Sequence, residues 1–170
     1  SAPTRYGKTD TLACALIYLA VFHNLKLPVV AGSIDKANKI MQYVVQHLGD
    51  HSQLYEGLIN IKLSDVEKLK VTVAKDAIRW HKGGWIYITS IESANTKKEG
   101  EGVVGEGGDV IVLEEAGLIR HREQFSKVVR MPEEDRGWGK LIMSGNCIEN
   151  SVFEDAYKNP IYKKVRISLE

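Results

Sequence analysis

The chain has 170 residues, 44% hydrophobic and 26% charged, the balance of a single globular domain rather than of a disordered segment. Its 23 Lys and Arg against 22 Asp and Glu leave a net charge of +1, so there is no chain-wide basic field and contact with a polyanion must be local. Two cysteines, Cys14 and Cys147, are too few for a disulfide framework or a four-ligand zinc site and suit a reducing compartment. The longest uncharged apolar run, Leu12 to Phe22, is about half the ~20 residues a membrane span needs, and no basic-then-apolar signal pattern opens the chain.

In chain order, Lys8 to about Asn24 predicts a helix, with Leu12, Leu16, Leu19 and Ala20 at helical spacing and no Gly or Pro inside. Leu27 to Gly32 reads as a short buried strand, and Ser33 or Asp35 caps a helix that runs to about Leu48 and closes at Gly49. Short helices are expected near Ser52 to Gly57 and near Ser64 to Leu69, where Ser64 and Glu67 form a capping-box pattern. Ala77 to His81 and Trp85 to Thr89 flank Lys82-Gly83-Gly84 and predict a β-hairpin. Ser93 to Gly108 is a polar loop. The apolar run Asp109 to Leu113 has the pattern of a buried parallel strand, followed at once by Glu114-Glu115. Helix is expected again from Arg122 to Val129, a charged loop from Met131 to Gly137, a buried strand over Leu141 to Ser144, a short helix near Ser151 to Tyr157 and a last strand around Lys163 to Ser168. This alternation predicts an α/β architecture with a mainly parallel sheet.

Three motifs carry chemistry. Ala2-Pro3-Thr4-Arg5-Tyr6-Gly7-Lys8-Thr9 fits the Walker A pattern at every fixed position except the first, where Ala2 replaces Gly. Such a loop needs backbone N–H groups facing phosphates, a lysine reaching the β and γ oxygens and a hydroxyl on Mg²⁺, all at a helix N-terminus. The bland alternative is an ordinary helix start with an exposed lysine. The second motif, Val110 to Leu113 with Glu114-Glu115, has the Walker B form: Glu114 would hold Mg²⁺ and Glu115 would polarise the attacking water. Its alternative is an acidic helix start favoured by the helix dipole. The third, Leu141 to Ser144 with Gly145 and Asn146, ends a buried strand in polar groups able to report on a γ-phosphate; otherwise it is a strand and a turn.

Together, these motifs resemble the ATPase domain of the large terminase subunit of tailed bacteriophages and related viruses, the motor that packages double-stranded DNA into capsids. The resemblance rests on Arg5 two residues before Gly7 in a Walker A without its first Gly, on the Lys82-Gly83-Gly84 hairpin ahead of Val110 to Ala116, and on Ser144-Gly145-Asn146 followed by Ser151 to Tyr157. It implies a P-loop NTPase fold of the ASCE type with a β-hairpin insertion, and ATP and Mg²⁺ as ligands. Residues Ala2 to Thr9 and Ser144 to Asn146 would hold nucleotide, Thr9 and Glu114 the metal, with Glu115 catalytic and Arg5 and Lys8 beside the phosphates. The partners implied are double-stranded DNA held by its backbone, sibling subunits on a portal, and the small terminase subunit, in the host cytoplasm and not at a membrane. Residues 1–170 would then be an ATPase domain from a longer protein, without the strand that precedes the Walker A in the family and without the C-terminal nuclease domain. The loop before the acidic strand carries Lys97 and Lys98 but no arginine, so no arginine finger is assigned.

Rival readings are another P-loop ATPase, such as a helicase or a nucleotide kinase, and a degenerate module that binds nucleotide without turnover. A kinase needs lid arginines, where the loop around Met131 to Gly137 offers only Arg130 and Arg136. His47 and His51, four apart, have a zinc-like spacing with no third ligand. Trp80, Trp85 and Tyr87 read as hairpin core rather than base-stacking groups. Arg120, His121 and Arg122, and Lys158, Lys163, Lys164 and Arg166, are candidate phosphate contacts or simply solvated charge.

Overall fold

The computed structural model describes residues 7–51, 77–80, 83–91, 107–119, 122–129, 140–146 and 148–164. Helix α1, Lys8–Phe22, buries Ala13, Leu16, Ile17 and Ala20, while Tyr18 and Phe22 face outward. Strand β1, Lys26–Ala31, is buried from Leu27 onward on both faces, as an interior parallel strand must be. Helix α2, Ile34–Asp50, starts after Ser33 and turns Ala37, Ile40, Met41, Val44, Val45 and Leu48 inward at spacings of three and four. Gly49 does not end it. The last turn continues to Asp50, and the His51 N–H closes it by donating to the carbonyls of His47 and Gly49, with Leu48 held in the core.

Strand β2, Ala77–Arg79, pairs antiparallel with β3, Trp85–Ser90, in the expected hairpin, with Ile78 opposite Ile86. Gly83 N–H donates to the Trp80 carbonyl at 3.0 Å and Trp80 N–H to the Gly84 carbonyl at 2.9 Å, which close the hairpin connection; His81 lies outside the described residues. Trp80 and Trp85 are buried, which makes them hairpin core. Strand β4, Val110–Glu114, is buried throughout and passes into a 3₁₀ turn, Ala116–Leu118. Helix α3 spans Arg122–Val129, β5 spans Lys140–Met143 and α4 spans Val152–Lys158.

The expected final strand is corrected at its start. Lys163 and Lys164 are not in a strand, because Asn159 turns the chain: its Oδ1 accepts from Ile161 N–H at 3.0 Å, and Lys164 returns over the Tyr157 ring at 5.6 Å. Residues 165–170 and both helices expected within 52–76 lie outside the described residues.

The five strands form one sheet in the order β2-β3-β1-β4-β5. Among the described strands only β2 runs antiparallel; β1 pairs in parallel with β3 and β4, and β4 with β5. Strand pleating splits the core into two. Leu27, Val29, Ala31 and Val112 face α1 and α2, whereas Val30, Ile111 and Leu113 face Val128 of α3 and Val152 and Phe153 of α4. Helices therefore cover both faces, and the parallel strands all release their C-terminal ends at one edge. Ligands of such α/β sheets bind at that edge.

Candidate functional site

The edge gathers three segments far apart in sequence. Gly7, at the N-cap of α1, has φ 71°, a left-handed conformation that glycine adopts without a Cβ penalty. The turn brings Lys8 and Thr9 to the helix N-terminus, whose free N–H groups and dipole favour an anion. Lys8 Nζ donates to Asn146 Oδ1 at 3.2 Å, and the Thr9 hydroxyl donates to Glu114 Oε1 at 3.2 Å. Lys8, Thr9, Glu114 and Asn146 thus stand together across three elements.

Glu114 is 4% exposed, and its second oxygen, Oε2, is buried with no hydrogen-bond partner. A carboxylate oxygen left bare in the interior is costly unless something charged or polar meets it. A hard divalent cation such as Mg²⁺ takes oxygen ligands of this kind, so Thr9 and Glu114 fit the metal expected of them. Among the described residues no group of three or more His, Cys, Asp or Glu could hold a metal. His47 makes no zinc pair with His51: its Nε2 meets Asp10 Oδ1 at 2.8 Å and Cys14 Sγ at 3.4 Å, joining α2 to α1.

Glu115 leaves the strand with φ 55° and lies 2.9 Å, through Oε2, from Lys36 Nζ. Lys36 was not among the residues the sequence singled out. Its one signal was a cation in the first turn of α2, where the helix dipole disfavours positive charge. Beyond Glu115 the chain is tied to β5: Ser144 N–H donates to the Leu113 carbonyl and Ala116 N–H to the Ser144 carbonyl, each at 2.9 Å. Gly145 sits against this turn, where a Cβ would come within 3.1 Å of Ala116 N. Ser144, Gly145 and Asn146 are therefore locked to the acidic pair. Of the other expected site residues, Ala2, Pro3, Thr4, Arg5 and Tyr6 lie outside the described residues, as do Lys97 and Lys98.

No family model and no curated protein matches the sequence. Solved structures do. The chain is similar to the large terminase of bacteriophage HK97 with a TM-score of 0.64 at 15% identity, over 91% of this chain and 31% of that one. It is similar to the large terminase ATPase domain of Thermus phage P74-26 with a TM-score of 0.54 at 15% identity, over 84% of this chain and 57% of that one. The chain thus spans about a third of the first and little more than half of the second. With its mainly parallel sheet between two helical layers, it has the P-loop NTPase fold of large terminase ATPase domains.

Proposed function

We propose that the chain hydrolyses ATP as the motor domain of a large terminase and so drives double-stranded viral DNA into a capsid. The observation that carries this reading is the meeting of Lys8, Thr9, Glu114 and Asn146 at the C-terminal edge of a parallel sheet, with a bare buried Glu114 oxygen beside the Thr9 hydroxyl.

In this reading the N-terminus of α1 receives the phosphates through backbone N–H groups, as helix N-termini receive anions. Lys8 moves its ammonium from Asn146 to the β and γ oxygens. By the resemblance, Arg5 and the rest of Ala2 to Tyr6, outside the described residues, would serve the phosphates together with Gly7. Thr9 and Glu114 would hold Mg²⁺, which would supply positive charge to offset that of the phosphates. Glu115 orients a water in line with the γ-phosphorus and draws on its proton. The water oxygen bonds to phosphorus, the bond from phosphorus to the β–γ bridging oxygen breaks, and ADP and phosphate leave. Freed from Lys8, Asn146 senses the γ-phosphate, and its ties through Ser144 and Ala116 carry the change to β4 and β5.

DNA is gripped by its backbone without sequence preference, as translocation requires. Lys163 and Lys164 are candidate contacts; Arg122 is paired with Asp155 at 3.0 Å. The working state is an assembly of sibling subunits on a portal, served by a small terminase subunit, in the host cytoplasm. Among the described residues no helix is long and apolar enough to cross a membrane.

The test is ATP turnover by the full-length protein, with and without double-stranded DNA, beside Glu115→Gln. Turnover should rise with DNA, and the variant should lose about 10²–10⁴-fold in kcat, the usual range for a positioned general base. If the wild type binds nucleotide and both forms are inert even with portal and capsid, the domain is a nucleotide-binding module and not a motor.

A further inference from the structure

Glu115 meets one side chain that the reading above leaves without a role. Alternation along β4 places Glu114 on the same face as Val112, toward α1 and α2, so an extended Glu115 would follow Leu113 to the opposite face. Its left-handed backbone, φ 55°, breaks that alternation. The carboxylate comes instead to the first turn of α2, where Lys36 Nζ donates to Oε2 at 2.9 Å. Residues other than Gly rarely hold this conformation, and they persist in it only where their surroundings require it.

The contact is poorly explained as a stability device. The two side chains are 39% and 46% exposed, and exposed ion pairs contribute little. The Lys36 charge also opposes the dipole of its own helix. Position offers a better account. Lys36 stands in the first turn of α2, just past the C-terminal end of β1, and β1 lies beside β4 with Ala31 opposite Glu114, so it reaches Glu115 from the helix that follows the neighbouring strand. The pair engages only Oε2 of the two carboxylate oxygens.

We propose that Lys36 is a positioning residue for Glu115: it holds Oε2 so that Oε1 is turned to the attacking water. This inference rests on the ATPase reading of the site. It assigns Lys36 no contact with nucleotide, so its loss acts on the chemical step and leaves binding alone.

The experiment measures steady-state ATP turnover of the full-length protein with DNA for wild type, Lys36→Met, Lys36→Gln, Lys36→Arg, Glu115→Gln and the double variant Lys36→Met/Glu115→Gln. Fluorescent-nucleotide binding and thermal unfolding accompany each protein. Loss of Lys36 should lower kcat about 10- to 100-fold, the usual effect of losing a group that orients a reactive one, with KM and nucleotide affinity within about threefold of wild type. Lys36→Arg should recover most of the rate. On the Glu115→Gln background, Lys36→Met should cost nothing further, because the two residues act as one unit.

Unchanged kcat in Lys36→Met and Lys36→Gln overturns the proposal. So does a raised KM at constant kcat, which would make Lys36 a nucleotide contact, or faster DNA-free turnover, which would make the pair a lock. A further loss on the Glu115→Gln background of the same size as in wild type overturns it too. A wild type that binds nucleotide without turnover removes the ATPase reading and this inference together, whereas a Glu115→Gln variant as fast as an active wild type removes the catalytic role of Glu115, and with it this inference, but leaves the ATPase reading standing. Loss in Glu115→Gln without loss in the Lys36 variants removes the inference alone.

Discussion

Gly117 carries no side chain because Asn146 occupies the space: a Cβ there would lie 1.9 Å from the Asn146 carbonyl oxygen. Both atoms that meet belong to rigid segments, since Ala116 is tied to Ser144 and Ser144 to Leu113. Gly117→Ala must therefore push Asn146 away from Lys8. The expected cost is about 1–3 kcal/mol in urea unfolding, the range for overpacking a close contact. A fall in ATP turnover larger than the loss of folded protein should accompany it. A variant as stable and as active as wild type would show that Asn146 tolerates displacement and is not a sensor. At this scale, Gly7, Lys8, Thr9, Glu114 and Glu115 stand out in the sequence as candidates because residue type and spacing mark them. Lys36 is not, since nothing local links it to a carboxylate 79 positions away.

Helix α4 illustrates how an element that sequence marks at its start is secured at both ends. Ser151 caps it, its Oγ accepting from Glu154 N–H at 3.2 Å, while Glu154 Oε2 accepts from Asn150 N–H at 2.7 Å, a reciprocal arrangement like a capping box. Lys158 then meets Glu154 Oε1 at 2.7 Å, four residues on. The hydrogen bond from Lys158, and next that from the Asn150 backbone, hold the Glu154 carboxyl below the usual glutamate range. A carboxyl depressed in the folded state contributes stability that is fully present above its unfolded value and is lost as pH falls through the folded value. Thermal unfolding from pH 7 down to about pH 3 should show a smaller acid loss in Glu154→Gln than in wild type. Identical acid limbs would mean the carboxylate contributes nothing to folding.

Other elements were equally legible, notably the hairpin with Ile78 opposite Ile86 and the buried β4, because alternation and apolar runs are local signals. Gly49 and Lys163 misled for a matching reason. A Gly ends a helix only if the chain takes a left-handed turn there, and Lys163 follows a turn set by Asn159.

Across the whole molecule, the site exists only when the sheet is assembled, since Thr9 and Glu114 are 105 residues apart and Lys8 and Asn146 are 138 apart. A ligand that bridges these segments binds the folded state and not the unfolded one. Mg²⁺ with a non-hydrolysable ATP analogue at 100 times its Kd should therefore add about 2.7 kcal/mol to the full-length protein's stability, read as a raised melting temperature. Removing Mg²⁺ with EDTA should cancel part of that rise, and Glu114→Gln should lose the same part. An EDTA effect that persists undiminished in Glu114→Gln would move the metal off the Thr9–Glu114 pair.

By itself, the sequence determined the kinds and order of most described elements and the polar motifs between them, because helix and strand periodicity and turn chemistry act over a few residues. It also sufficed for the α/β class and for the resemblance that structures at 15% identity now match in fold, since a fold depends on the pattern of burial more than on the identity of each residue. Only the tertiary structure decided that β1 lies between β3 and β4, that Glu115 turns left-handed off β4, and that it meets Lys36 there. Strand neighbours and side-chain partners are chosen by contacts distant in sequence, whose energies belong to the assembled sheet and to no segment alone.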